Sequence, residues 1–369
     1  MTNDRPTPTL VFGPAYLDRV IRVDRPLVDP ALGGRPLDGS VDGRRIEEGE
    51  GLTLLDPLGS RIVVELPEGW PGPRGTIGLS RPLSERAAGW SRAVRGVAWA
   101  DDLGGMGSGF AAALGGDLVS ALGPEDDPGS RAVAGLLARS GIRHHPIRIG
   151  VAEADWTLLV TSGEFGDKLP VGFRGCHASL TGLGPWAGRP CKLRVVAALP
   201  NRLAAEALRG PAEVRAFAPA LRNMIDRDPP VSSFVDAIDV LSCNRGEWES
   251  LDDREQVAWQ VSILAVTDGP DGATVRFTTP DGDAGLVQVP AFPRARPPRD
   301  TNRAGEAFAS TLLATLLGAG WTPGVTPPDL ARLAAERASA ASALVIGRDE
   351  FGFPTPAQVD EALRDGRVG

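Results

Sequence analysis

From residue 191 onward, short apolar runs and helical stretches take turns along the chain. Residues 193–199, 214–217 and 263–267 read as strands, 237–242 as a strand-like run leading into Asn244, and 203–208 as a helix. Strands separated by helices pair in parallel through crossovers, so this half is committed to a parallel sheet covered on both faces. Ligands of such sheets sit beyond the carboxyl ends of the strands. Upstream, residues 10–12, 118–122 and 157–161 supply further strands, and 131–140 an amphipathic helix closed by Gly141. No repeat of fixed period is visible. Residues 22–98 break the alternation: they are rich in Pro, Gly and Arg, with short β-like runs such as 62–66. Together with 151–180, where strands again lack intervening helices, they predict a small β-rich lid. The expected architecture is one α/β domain over residues 1–369, a doubly wound, mainly parallel sheet with that lid attached.

Composition narrows the partners. A formal charge of −8 disfavours nucleic acid. Apart from Lys168 and Lys192, the positive charge is arginine, a base-composition effect with no functional content. Three cysteines (Cys176, Cys191, Cys243) and no signal-like start point to a reducing, cytoplasmic setting. No apolar run reaches membrane-spanning length. With Cys and His this scarce a zinc site is not expected, and Cys176-His177 reads as a chance adjacency. The chain contains no Gly-x4-Gly-Lys, which excludes a Walker-type ATPase.

The chemistry concentrates at Asp300-Thr301-Asn302-Arg303-Ala304-Gly305-Glu306-Ala307-Phe308, where an irregular Arg- and Pro-rich stretch gives way to an apolar helix. A small-residue turn opening a helix leaves main-chain N–H groups unpaired at the positive end of the dipole, a natural anion site. Glu306, in the first turn, is placed to take a proton from whatever is brought there; an ordinary helix start favours an acid at the same position.

This nonapeptide resembles the Asp-Thr-x-Gly-Ala-Gly-Asp-x-Phe signature of the ribokinase-like carbohydrate kinases, the phosphofructokinase B type. The resemblance implies that the amides of Ala304, Gly305 and Glu306 hold developing phosphate charge. It also implies that Glu306, in place of the family's Asp, deprotonates the acceptor hydroxyl. Arg303 stands where the family has its first Gly, and its guanidinium is placed to donate to a transferred phosphoryl group.

Other stretches extend the resemblance in chain order. In Gly13-Pro14-Ala15-Tyr16-Leu17-Asp18, Asp18 occupies the place of the acid that grips the sugar. Asn244-Arg245-Gly246-Glu247 matches an Asn-x-x-Glu that helps hold magnesium and the phosphates of ATP, with Glu247 the metal-side carboxylate; oxygen ligands suit that hard cation. Thr267-Asp268-Gly269-Pro270-Asp271-Gly272-Ala273 resembles the nucleotide-binding turn, assigning Thr267, Gly269 and Gly272 to ATP, though Pro-Asp-Gly is also a general turn sequence. Asp126-Asp127-Pro128-Gly129 keeps the spacing of the family's Asp-x-x-Gly, and an Ala-rich stretch at 340–346 followed by Phe353-Pro354-Thr355-Pro356 matches its ending. The family's Gly-Gly-x-x-x-Asn substrate segment has no clean counterpart. A gapless alignment puts Asp101-Asp102 at the glycines and Met106 at the Asn; aligning Gly104-Gly105 instead makes Gly105 substrate-binding and puts Gly109 at the Asn.

The resemblance implies an ATP- and Mg2+-dependent kinase acting on a hydroxyl of a sugar or sugar-like small molecule, with a homodimer formed through the lid as a further implication. Two other readings stay open. A non-catalytic or very slow relative would follow from Glu306 and Arg303, since an extra methylene moves the carboxylate by about 1 Å and such a displacement can cost about 10²-fold. An NAD-dependent oxidoreductase would use Gly107-Ser108-Gly109-Phe110-Ala111-Ala112, a Gly-x-Gly-x-x-Ala run.

Overall fold

The computed structural model describes residues 7–28, 41–83, 88–162, 168–296, 303–348 and 351–369. The central element is β1 (Thr7–Phe12), whose Leu10, Val11 and Phe12 are fully buried. A strand apolar on both faces needs cover on both, and it gets neighbours on both edges as well. It pairs in parallel with β8 (Asp117–Leu122) and β12 (Cys191–Ala197). Beyond β8 lies β9 (His144–Arg148). Beyond β12, also in parallel, come β13 (Ala212–Ala218), β14 (Val240–Asn244) and β15 (Ile263–Thr267). Antiparallel β16 (Ala273–Thr278) and β17 (Ala284–Val289) finish the nine-stranded sheet, in the order β17-β16-β15-β14-β13-β12-β1-β8-β9.

Helices cover both faces. One core layer gathers α1 (Met106–Leu114), α2 (Pro128–Arg139), α7 (Ala304–Gly318) and α8 (Pro328–Val345) through Phe110, Leu137, Leu312 and Ala334. The opposite layer holds α3 (Asn201–Leu208), α4 (Leu221–Ile225) and α6 (Arg254–Gln260) through Leu203, Met224 and Val257. The short α5 (Arg245–Glu249) follows β14, and α9 (Pro356–Asp365) packs on α8. The sheet is therefore doubly wound and mainly parallel.

The remaining strands build something separate. β2 (Tyr16–Val23), β3 (Val41–Glu47), β4 (Leu52–Leu55), β5 (Arg61–Glu65), β6 (Gly75–Leu79), β7 (Ser91–Gly104), β10 (Trp156–Thr161) and β11 (Lys168–Phe173) close into a barrel, in the order β10-β11-β3-β6-β4-β5-β7-β2. Alternation sorts the side chains: in β5, Ile62 and Val64 point inward while Arg61, Val63 and Glu65 face out. The interior is filled by Leu52, Leu54, Ile77, Leu158 and Val171 among others, as expected for eight strands. Each barrel strand has a neighbour on both sides.

The sequence motif for a dinucleotide lacks its context. Residues 107–112 lie inside α1, and the preceding β7 is a barrel strand, antiparallel to β2 and parallel to β5, with mostly exposed residues, not a buried strand of the parallel sheet opening onto a phosphate turn. Among the described residues no helix is long and apolar enough to cross a membrane.

Candidate functional site

The candidate site lies beyond the carboxyl ends of β1, β12, β14 and β15, beneath the rim of the barrel. Gly13 ends β1 with its Cα facing Gly107 of α1: a Cβ there would stand 2.9 Å from both Ala197 O and Gly107 Cα. That close approach brings α1 against the sheet. The helix starts at Met106, directly after Gly104-Gly105, so the backbone realises the second of the two sequence alignments. Gly105 has φ 100°, and a Cβ would meet Pro14 O at 2.2 Å, so glycine is required there for backbone reasons alone.

Asp18 lies in β2 opposite Asp102 of β7, and its carboxylate covers Gly104, where a Cβ would come within 2.5 Å of it. It is only 9% exposed. Burial pushes its pKa up to about 7, against the pull of Arg303 and Lys168. Tyr16, the one tyrosine of the chain, opens the same strand. Burial and then the charge of Asp18 raise its hydroxyl to about 12, with Glu306 also within electrostatic reach.

Glu306 sits in the first turn of the 15-residue α7. Its side chain passes over Gly109 of α1: a Cβ at 109 would stand 3.2 Å from Glu306 Cγ and 3.4 Å from Phe353. The position where the resemblance expects an asparagine is thus the space the longer acid occupies. Burial raises the Glu306 pKa, while a hydrogen bond from its own amide and the charges of Arg303 and Lys168 act the other way. Ala304 is the first helical residue, and Gly305 is exposed, with open space around its Cα. Asp300, Thr301 and Asn302 of the signature lie outside the described residues.

Arg303 is the N-cap of α7 at φ 65°, a left-handed conformation disfavoured by about 1–2 kcal/mol for a side-chain-bearing residue. Its guanidinium is engaged elsewhere than the sequence suggested. Nη2 donates to Asp102 Oδ2 at 2.5 Å and to Leu103 O at 3.4 Å, and the group lies 4.9 Å over the Phe351 ring. The departure from the family pattern at Arg303 is thereby neutralised by Asp102.

The nucleotide-side residues form a second cluster. Asn244 and Glu247 make a reciprocal capping box on α5: Asn244 Oδ1 accepts from Glu247 N at 2.9 Å, and Glu247 Oε2 accepts from Asn244 N at 2.8 Å. Glu247 is pushed up to about 7, by burial first, with Glu306 adding to the rise. Asn244 pairs in register with Thr267, and Arg245 Nε donates to Asp268 Oδ2 at 2.6 Å, tying the two turns together. Thr267 Oγ1 donates weakly to Cys243 O at 3.5 Å. Gly269, at φ 53°, is exposed with free space around it. Gly272 differs: it is buried at φ 91°, and a Cβ would meet Val289 O at 2.1 Å, so packing against β17 fixes it.

One buried cluster contradicts the sequence reading of Cys176-His177 as a chance adjacency. Asp155 Oδ1 accepts from Gly175 N at 2.8 Å and His177 N at 3.2 Å, its Oδ2 lies 3.2 Å from His177 Nδ1, and Cys176 Sγ donates to Oδ1 at 3.6 Å. Burial works against the charged form of Asp155, but these bonds win and hold its pKa near 2. The Asp155 carbonyl also accepts from Leu17 N at 3.4 Å, so the hub fastens the loop after β11 to the start of β2. Nothing in the local sequence announces it, because its members come together only when β10 and β11 pair.

Neither a family model nor a curated protein matches the amino-acid sequence. Solved structures do match the fold. The chain is similar to a ribokinase from Thermotoga maritima (15% identity, TM-score 0.60, covering 97% of this chain and 99% of that one). It is also similar to a Burkholderia thailandensis nucleoside kinase in complex with inosine (17%, 0.60, 97% and 98%) and to an Arabidopsis thaliana ribokinase complexed with ribose and ATP (14%, 0.58, 98% and 99%). At such identities the likeness is one of architecture, and the architecture of this chain is the ribokinase fold in a divergent form.

Proposed function

We propose that the protein is an ATP-dependent kinase that transfers a phosphoryl group to a hydroxyl of a sugar or nucleoside-like small molecule. The observation that carries this reading is a pair of shielded carboxylates, Asp18 and Glu306, that face the same two cations, Arg303 and Lys168, with Glu247 of the second cluster in electrostatic reach of Glu306. A base has to bind the proton it takes, and burial makes a carboxylate more basic than it is in water. Asp18 orients the acceptor by accepting from its hydroxyls, and Glu306 takes the proton of the reacting one. That oxygen forms the new bond to phosphorus as the bond to the ADP oxygen breaks. The amides of Ala304 and Gly305 meet the charge that develops.

The donor set fits Mg2+ and ATP: the Glu247 oxygen not used in the capping box and the open turn at Thr267 and Gly269 would hold them. When bound, they supply the phosphoryl group and neutralise its charge. The barrel rim over Asp18 excludes water that would otherwise compete as acceptor.

A non-catalytic relative remains the second reading, favoured by one observation: the Arg303 guanidinium is committed to Asp102. A coupled ADP-release screen over sugars, sugar phosphates and nucleosides decides. Acceptor-dependent ADP formation is the expected outcome; ATP binding without turnover across the panel moves the assignment to the second reading.

A further inference from the structure

The Asp155 hub brings together three different metal-binding chemistries. Asp155 directly precedes β10, and Cys176 and His177 lie in the turn after β11. All three are buried, at 1%, 0% and 6% exposure. They offer a carboxylate oxygen, a thiol sulfur and an imidazole nitrogen, all within 4.8 Å of one another. Asp155 Oδ2 lies 3.2 Å from His177 Nδ1. Cys176 Sγ lies 3.7 Å from that nitrogen and 3.6 Å from Asp155 Oδ1. Metal bonds of about 2.3 Å to sulfur and about 2.0–2.1 Å to nitrogen or oxygen, set at tetrahedral angles, separate such donors by about 3.3–3.6 Å. The hub already has edges of that length.

The supports of a metal site are in place as well. Gly175 N and His177 N both donate to Asp155 Oδ1, which aims the carboxylate and turns Oδ2 toward the imidazole. The turn is pinned in its own right: Cys176 N donates to Glu153 O at 2.9 Å, and a Cβ on Gly175 would stand 2.4 Å from the same oxygen. A nucleophilic role does not fit a thiol so completely buried. Scarcity of Cys and His argued against zinc in the sequence, but one of each suffices once a carboxylate joins them.

We propose that Asp155, Cys176 and His177 bind one divalent cation of the zinc class through Oδ2, Sγ and Nδ1, with water at the fourth position. A thiolate and an imidazole select a borderline-soft ion over Mg2+, which prefers oxygen. The ion enters as the thiol proton leaves, and the imidazole proton passes from Nδ1 to Nε2. Around a neutral imidazole the hub then changes from one negative charge to none, which burial favours. The cost falls on Nε2, buried without a hydrogen-bond partner, and a metal–thiolate bond exceeds it. The ion clips the start of β10 to the turn after β11, a structural role that does not depend on the kinase reading.

Co2+ is the probe, because its bond to a thiolate absorbs in the near ultraviolet. The full chain is expressed with Co2+ in the medium and, separately, stripped with a chelator and titrated. One equivalent of Co2+ should bind with that charge-transfer band, and one equivalent of Zn2+ should displace it. Cys176→Ser should abolish the band, and His177→Gln should weaken binding at least about tenfold. Zn2+ should raise the melting temperature of the wild type and leave that of Cys176→Ser unchanged. The double variant Cys191→Ala/Cys243→Ala, in which Cys176 is the sole thiol, should keep the band, so the assignment holds even where Cys176→Ser folds poorly. A wild type that binds no Co2+ by either route overturns the proposal. So does a band that survives Cys176→Ser or is lost in the double variant, or Mg2+ that displaces Co2+ as well as Zn2+ does.

Discussion

The two sides of the candidate site are built on different principles. On the nucleotide side the interactions are short in sequence: Asn244 and Glu247 cap one helix turn, and Arg245 reaches 23 residues to Asp268. These groups satisfy one another without help from the rest of the molecule. On the acceptor side, partners come from far apart. Arg303 meets Asp102 across 201 residues, Arg174 covers Tyr16, and Glu306 needs the empty space above Gly109. The Asn244 and Thr267 turns also keep the pattern they resemble, while the other side departs from it at 109, 303 and 306. Under the proposed function, the phosphate side would rely on backbone geometry, which short motifs encode, and the acceptor side on side chains assembled by the whole fold.

The largest expected effect tests the catalytic end of the comparison. Glu306→Gln keeps volume and helix start but removes the proton acceptor, so turnover should fall about 10²–10⁴-fold with ATP affinity nearly unchanged. Steady-state kinetics with a nucleotide titration measures both, and intact turnover would remove Glu306 from its role.

Next comes the long-range pair. Asp102→Ala leaves the Arg303 guanidinium, 13% exposed, without its counter-charge. Since both partners are partly shielded and not fully buried, about 1–3 kcal/mol of stability should be lost, below the range for a deep pair. Denaturant melts report it, and a neutral outcome would mean the pair is incidental.

Asp18 offers a pH signature. Its folded pKa of about 7 lies above the ordinary 3.8, so the folded state holds a proton that the unfolded chain releases. Its contribution is fully present below about pH 4 and is lost as pH rises through 7. Asp18→Asn should therefore raise the melting temperature relative to wild type at pH 8 and converge with it at pH 4. A difference independent of pH would refute the shift.

The smallest effect lies on the nucleotide side. Asn244→Ala removes the cap and should cost about 0.5–2 kcal/mol, with a higher KM for ATP and an unchanged affinity for the acceptor. An equal loss on both sides would dissolve the distinction drawn here.

Legibility in the sequence follows the same division. The strand at 263–267, the Asn244 turn and the helix after Phe308 are written in consecutive residues, so periodicity and punctuation reveal them. The barrel was visible only as a region without helices. Its strands are short, and pairings such as β11 with β3 join segments more than a hundred residues apart, which no local pattern can specify. Asp155, Cys176 and His177 carried no signal. The fate of Arg303 was misread for the same reason: its guanidinium looked available for phosphate because Asp102 is remote in sequence.

The bond between Arg303 and Asp102 also couples the two positions energetically. Replacing Arg303 alone relieves a left-handed backbone but strands a carboxylate that stands opposite Asp18 in the strand pairing. Replacing Asp102 alone strands a guanidinium that is only 13% exposed. The two residues therefore behave as one unit, and changing both together should cost less than the sum of the two single changes.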